Sequence, residues 1–318
     1  MSVDVLSMTT VTGQLRAIVG PEGVSDHAPL ATLTTFGVGG PAEWLVEPRS
    51  VAALEAVLRL AASHDLPVTV LGGGSNVLVA DAGVRGMVVR PRLTGISHPM
   101  EGRVRAEAGV TINGLVRWLI GRGLAGLEAW AGTPGTVGGA VHGNAHYAGH
   151  NISEHVVDVG LFSRRGAFGV VPAAEMAFGY DTSRLFDTNE IVVWADLRVC
   201  AGEPDVMRAV ARASLAHRKR TQPLHLPSAG CIFQNPDPAR DRVPMGMPWS
   251  AGALVDRAGL KGASSGGATI STTHANFIVA DKTATAADIR RLIERAREAV
   301  RRQFGVELRD ELVYLGEW

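Results

Sequence analysis

The order of elements in this 318-residue chain predicts an α+β protein of two or three compact units. Three observations carry that reading. Apolar residues repeat with helical period in some stretches and alternate in others. The front of the chain runs β-α-β-turn-β, which builds a small mixed sheet. Its 38 glycines gather in short loops between those elements. With 46% hydrophobic and 19% charged residues the chain is globular and long enough to bury a core without disulfide or metal staples.

Taken in order, residues 14–25 are expected to form a leading helix and Ala42–Pro48 a strand. Ser50 is placed to cap a helix over Val51–Ser63, with Leu54, Val57, Leu58 and Ala61 on one face and Pro67 closing it. Val68–Leu71, Val77–Ala80 and Met87–Val89 read as strands. A strand begins at Arg103. Helix Ile112–Ile120 follows, with Leu115, Val116, Leu119 and Ile120 aligned before Gly121 and Gly123. Residues 155–163 and 167–172 form a hairpin, and Ile191–Val199 is a β-branched strand. Asp205–Lys219 is helical. The clearest helix spans 283–304: Thr285 and Asp288 have capping-box spacing, Ile289, Leu292, Ile293, Ala296, Val300 and Phe304 form its stripe, and Gly305 ends it. The tail after Gly305 alternates like a strand.

Several function classes are disfavoured. The formal net charge is zero, so no global field would hold a nucleic-acid backbone. Cys200 and Cys231 make no disulfide framework, and neither they nor the histidines have zinc-site spacing, so no metal is expected. The N-terminus does not read as a signal peptide, and no apolar run reaches the about eighteen residues of a membrane span. The expected compartment is the cytoplasm, with no membrane insertion and no obligate protein partner implied.

Two loops point to a phosphorylated ligand. Leu71–Asn76 (LGGGSN) joins two strands, so it is neither a dinucleotide fingerprint opening a helix nor a Walker loop ending in Gly-Lys-Ser/Thr. What remains is a nest of backbone donors suited to a pyrophosphate, or else a plain tight turn. Ala131–Asn144 (AGTPGTVGGAVHGN) is long and glycine-rich without an acidic or a Lys/Arg side chain. An ordinary solvated connection of that length would usually carry charge.

In order along the chain stand TTFGVGGPAEWLVEP, LGGGSNVLVAD, AGVTINGLVRWLIGRGLAGLE, AGTPGTVGGAVHGN, SAGCIFQNP, AGALVDRAGLKG, GGATISTTHANFIV and FGVELRDELVYLG. Together, from about Thr35 to Gly316, they resemble the UDP-N-acetylenolpyruvoylglucosamine reductases. The resemblance implies a vanillyl-alcohol-oxidase/PCMH-type FAD-binding fold of two α+β subdomains, 14–90 and 91–204, plus a C-terminal α+β substrate-binding domain, 205–308. The tail 309–318 is expected to rejoin the first subdomain. It implies FAD as cofactor, NADPH as hydride donor and a small-molecule UDP-sugar substrate. The flavin pyrophosphate is expected at Gly72, Gly73, Gly74, Ser75 and Asn76, and its ring near Thr133, Pro134, Gly135, Gly138, Gly139 and Asn144. The length fits the family's compact type, without the inserted loop that carries a gating tyrosine.

The family's reaction reduces an enolpyruvyl ether. It needs a proton donor at the α-carbon and stabilisation of an enolate-like anion. The donor serine of the family's motif is Cys231 here, in Ala229–Pro236; a thiol, with a pKa of about 8.5, is the better acid. The alternative is a small buried hydrophobe, which Cys200 is expected to be. Glu311, in Leu308–Leu312, matches the catalytic glutamate. The family's Tyr-Arg pair reads Tyr180-Asp181, so the arginine is replaced by an aspartate. Arg184, three residues on, is expected to supply the guanidinium, oriented by Asp181. His146 and Tyr147 are bulky where the family is small. Tyr180, Asn235 and Gln222 are the substrate-binding candidates. His217-Arg218-Lys219-Arg220 and Lys261 could add phosphate contacts, although a charge run is more often a solvated face. Two readings compete with the reductase: another FAD oxidoreductase of the same fold, and a flavin- or UDP-sugar-binding homologue with altered or no catalysis.

Overall fold

The computed structural model describes residues 5–147 and 149–318, with side chains from Thr10 onward. Its contacts divide the chain into two compact units. The first holds the described residues up to Ala28, with Ala42–Gly73 and Arg85–Leu215; the second holds Pro29–Pro41, Gly74–Val84 and Ala216–Trp318.

The first unit contains two sheets. A four-stranded sheet runs in the order Val24–Pro29, Pro41–Val46, Val84–Val89, Val68–Val70, the last pair being parallel. Helix Val51–Ser63 sits in the same core: Ser50 caps it by accepting from Ala53 N, and Leu54, Val57, Leu58 and Ala61 are buried with Trp44, Val46, Met87 and Val89. The leading helix is Val5–Val19 rather than 14–25. Gly20, at φ 83, and Pro21 stop it, and the chain turns into a strand at Val24.

The second sheet is antiparallel, in the order Phe168–Pro172, Val156–Phe162, Ile191–Arg198, Arg103–Glu107, Ile96–Met100. The last strand is absent from the sequence reading because Ser97, His98 and Pro99 hide its alternation. Helices Ile112–Ile120 and Val137–His142 share its core through Leu115, Val116, Leu119, Ala140 and Val141.

The second unit is organised by helix Ala286–Phe304. Its buried stripe of Ile289, Leu292, Ile293, Ala296 and Val300 packs with the three-stranded sheet Ser264–Ser265, Ala268–Ile270, Ile278–Ala280 and with helix Ala251–Arg257. Each large aliphatic side chain buried here contributes about 1.5–3 kcal/mol. Thr285 and Asp288 form the expected capping box, and Gly305 ends the helix in the left-handed region. Asp81 adds a long-range cap, accepting from Ala286 N at 2.8 Å and Ala287 N at 2.9 Å. The tail is less regular than its alternation implies. Only Val313–Leu315 is a strand, pairing in parallel with Val77–Val79.

Candidate active site

In the first unit the glycine loops touch backbone to backbone. A Cβ on Gly73 would fall 2.7 Å from Gly135 Cα, and one on Gly72 would fall 2.8 Å from Thr136 Oγ1. At Gly73 the clash is with backbone and no side chain is tolerated, while at Gly72 a side chain would have to displace the Thr136 hydroxyl. Among the described residues, no acceptor is engaged by the N–H groups of residues 72–76. A side-chain-free surface with donors to offer fits the pyrophosphate of a flavin dinucleotide. Asn113 sets the neighbouring loop, accepting from Gly132 N at 2.6 Å and donating to Thr133 O at 3.2 Å. Gly138 N and Gly139 N already bond Ala108 O and Thr136 Oγ1, so these two glycines offer room rather than donors.

Two of the expected cofactor ligands have protein partners. Asn76 donates through Nδ2 to Glu311 O at 3.0 Å, within the second unit. Asn144 is buried; it donates to Gly179 O at 2.7 Å and accepts from Ser153 N at 3.2 Å. Both ends of the Asn144 side chain therefore clamp loops rather than reach outward.

The segment around Asp181 is a turn, bridged between Gly179 and Thr182, and not the helix that would stack Arg184 over Asp181. Asp181 sits at φ 53 and its Oδ1 lies 2.9 Å from His146 Nδ1. Arg184 meets Glu190 instead, Nε to Oε2 at 3.0 Å and Nη2 to Oε1 at 3.2 Å. The expected Asp181–Arg184 pair is thus corrected. Arg184 begins the short helix Leu185–Thr188, whose far end returns Glu190 to it, and a carboxylate engaged this way neutralises the guanidinium locally. Tyr180 is exposed, its ring 5.1 Å from that of His146.

In the second unit the Cys231 and Glu311 segments run side by side. Glu311 N donates to Ile232 O and Gln234 N to Arg309 O, both at 2.9 Å, with Phe233 bridged antiparallel to Asp310. Both residues are half-buried. Asn276, unremarked in the sequence, fixes the thiol-bearing segment: it is buried, accepts from Phe233 N at 2.9 Å and donates to Phe233 O at 2.8 Å, while its own carbonyl takes Ile232 N. The flanks of Glu311 are held by charge. Asp310 accepts from Arg297 at 2.6 Å and from Tyr314 at 3.1 Å, and Arg309 donates to Asp241 at 2.7 Å. Burial, reinforced by the Asp310 charge, pushes the Tyr314 phenol up, so it stays protonated as a donor. The hydrogen bond from Arg309 holds Asp241 below the usual carboxylate range.

Of the other candidates, Asn235 Oδ1 accepts from Ala251 N at 3.0 Å and so anchors the start of a helix. Gln222 is half-buried just after helix Pro204–Thr221, and Lys261 pairs with Asp256 at 2.8 Å. The basic run is not a uniformly solvated face: Arg218 is 7% exposed while His217, Lys219 and Arg220 are exposed.

Comparisons with known proteins converge. Residues 222–315 match the family model of the UDP-N-acetylenolpyruvoylglucosamine reductase C-terminal domain, and residues 42–168 match an FAD binding domain. The UDP-N-acetylenolpyruvoylglucosamine reductase of a Synechococcus species is 39% identical over 97% of this chain and 98% of its own. That of Moorella thermoacetica is 38% identical over 98% and 99%. The crystal structure of the corresponding Thermus caldophilus reductase superposes with a TM-score of 0.75 at 33% identity, covering 92% of this chain and 98% of that one.

Proposed function

The chain belongs to the UDP-N-acetylenolpyruvoylglucosamine reductase family, and from that premise we propose how its residues divide the work of the reaction. It is an FAD-dependent oxidoreductase that uses NADPH to reduce UDP-N-acetylglucosamine-enolpyruvate to UDP-N-acetylmuramate, a peptidoglycan precursor. FAD, when bound, supplies the redox chemistry, taking two electrons from NADPH and delivering them to the enolpyruvyl double bond.

Gly72, Gly73 and Gly135 give the cofactor's pyrophosphate a surface without side chains, with the N–H groups of Gly74 and Ser75 as further donors. Thr133, Pro134, Gly138 and Gly139 form the wall for its ring. Cys231 gives its thiol proton to the α-carbon once the β-carbon has been reduced, and the resulting thiolate regains a proton from water. Glu311, on the segment paired beside it, orients the reacting carboxylate–enolate region and excludes water from it. Tyr180, Asn235 and Gln222 contact the nucleotide sugar, and the buried guanidinium of Arg218 offers its diphosphate a charge-assisted partner. This reading places the enzyme in the cytoplasm, where NADPH is supplied. No helix among the described residues is long and apolar enough to cross a membrane.

The observation that carries the assignment is the pairing of residues 232–234 with 309–311. It makes neighbours of a thiol segment and a carboxylate segment far apart in sequence. The test is anaerobic. Purified protein should be yellow, bleach with NADPH, and regain its oxidised spectrum when the enolpyruvyl UDP-sugar is added. Cys231→Ala should bleach normally but recover about 10²–10⁴-fold more slowly, and Cys231→Ser should retain much of the rate. Recovery at the normal rate in Cys231→Ala would remove the thiol from the mechanism.

A further inference from the structure

The chain from Val306 to Leu312 alternates. Val306, Leu308 and Leu312 are buried in the core that helix Ala286–Phe304 organises, while Glu307 is exposed and Arg309 and Glu311 are half-buried. Side chains of an extended segment leave on alternate faces, so Asp310 belongs to the core-facing row. A carboxylate there gives up hydration that an apolar side chain would never need, and pairing it returns little net stability. Stability alone would favour an apolar residue at this position.

Arg297, on that helix, holds Asp310 from the core side. Its three nitrogens take three acceptors: Nη2 donates to Asp310 Oδ1 at 2.6 Å, Nε to Leu308 O at 3.3 Å, and Nη1 to Glu294 of its own helix. The second oxygen of Asp310 takes the Tyr314 hydroxyl at 3.1 Å, so the carboxylate is fixed at both ends. The guanidinium also lies 6.0 Å from the centre of the Phe233 ring. Phe233 and Asp310 form the bridge between the Cys231 and Glu311 segments, so one side chain of the helix grips both halves of that bridge. Two main-chain bonds flank it, Glu311 N to Ile232 O and Gln234 N to Arg309 O. A pairing that short twists and splays easily unless something rigid backs it. Arg297 and Asp310 are 20% and 22% exposed, which shields their contact from solvent and salt.

We propose that Arg297 is a positioning residue for the reduction: by holding Asp310 and Phe233 against the helix, it fixes the Glu311 carboxylate in its place beside the Cys231 segment. The proposal rests on the reductase reading above, in which Cys231 and Glu311 act on the enolpyruvyl group. Arg297 touches no reacting atom and moves no proton; its charge is matched by Asp310 and Glu294. A lysine cannot take over, because one nitrogen on a flexible stem does not reach three acceptors in a fixed plane.

The test uses the whole enzyme with FAD bound. In Arg297→Lys, bleaching by NADPH should proceed normally, while reoxidation by the enolpyruvyl UDP-sugar slows about 10–10²-fold, the scale of loss when a working group is displaced by about 1 Å. Calorimetry should show UDP-N-acetylmuramate binding with wild-type affinity, a loss in rate without a loss in binding. Coupling to Glu311 is the readout that a merely structural role would not give. Glu311→Gln should slow reoxidation by itself, and adding Arg297→Lys to it should cost little more, because the group being positioned is already gone. Arg291→Ala breaks an ion pair of the same helix that reaches Asp288 and Ser265 instead of the paired segments, and it should reoxidise at the normal rate. Should Arg297→Lys not fold, Asp310→Asn, which keeps the shape and weakens the grip, carries the same tests. Wild-type reoxidation in these variants, equal loss in both half-reactions, weakened binding of UDP-N-acetylmuramate, losses that multiply with Glu311→Gln, or an equal slowing in Arg291→Ala would overturn the proposal and leave the reductase reading intact. Full activity in Glu311→Gln, or a wild-type protein that bleaches but is never reoxidised by the UDP-sugar, would overturn that reading, and the proposal with it.

Discussion

The loops at 144–147 and 179–183 and the paired segments 232–234 and 309–311 each hold groups assigned to one reaction, by opposite means. The first pair is stitched largely by side chains: Asn144 to Gly179, His146 to Asp181, Ser183 to His142. The second is a backbone ladder, Glu311 to Ile232 and Gln234 to Arg309, backed by Asn276. A ladder of main-chain bonds is indifferent to most side chains, so a motif on it can exchange serine for cysteine and keep its geometry. Side-chain stitches must change together or not at all, which is how a histidine and an aspartate come to stand where the family pattern has neither.

The largest effect expected from probing that contrast is at Asn276. Removing its amide in Asn276→Ala leaves a buried N–H and a buried C=O of Phe233 unpaired, each worth about 1–3 kcal/mol. Thermal melting should show that loss together with a collapse of turnover. Unchanged melting would mean that the ladder needs no backing. A smaller effect is expected at Arg184. Arg184→Ala removes a half-buried pair with Glu190, costing about 1–3 kcal/mol in a denaturant titration, while flavin reoxidation keeps its normal rate. A collapse of reoxidation would return Arg184 to the chemistry.

The smallest effect belongs to pH. Asp241 is held below its ordinary range chiefly by its hydrogen bond from Arg309, so the folded form binds its proton less readily than the unfolded chain does. The stability this contributes is fully present above the ordinary carboxylate range and is lost as pH falls through the depressed folded value. Asp241→Asn should therefore melt below wild type at neutral pH, and the gap should narrow on acidification. A gap constant with pH would show that the ion pair does not support the Arg309–Glu311 segment.

The sequence made the second region more legible than the first for the same physical reason. Helical stripes, the Thr285 and Ser50 caps and the glycine stops are local signals, and helices Val51–Ser63, Ile112–Ile120 and Ala286–Phe304 stand where those signals put them. Cys231 and Glu311 lie in contiguous motifs whose ladder needs no further clue. The partner of Arg184 depends on where a left-handed turn at Asp181 sends the chain, and no spacing encodes that. Asn276 is an unremarkable amide in GGATISTTHANFIV until its loop is folded beside Phe233. Asn76 and Asn144 sit in glycine-rich loops, where an asparagine is as useful for holding the loop as for holding a guest.

The second unit is assembled from three stretches of chain, Pro29–Pro41, Gly74–Val84 and Ala216–Trp318. Phe36, Val38 and Leu78 lie in its core, Val77–Val79 completes a strand pair, and Asp81 caps its main helix. A contiguous cassette from 216 onward would therefore leave behind part of its own interior, one strand partner and a helix cap. Chimeras that exchange this unit between relatives must carry the two short N-terminal stretches with it. Its folding also has to wait for loop closures across well over a hundred residues, the slow class of assembly.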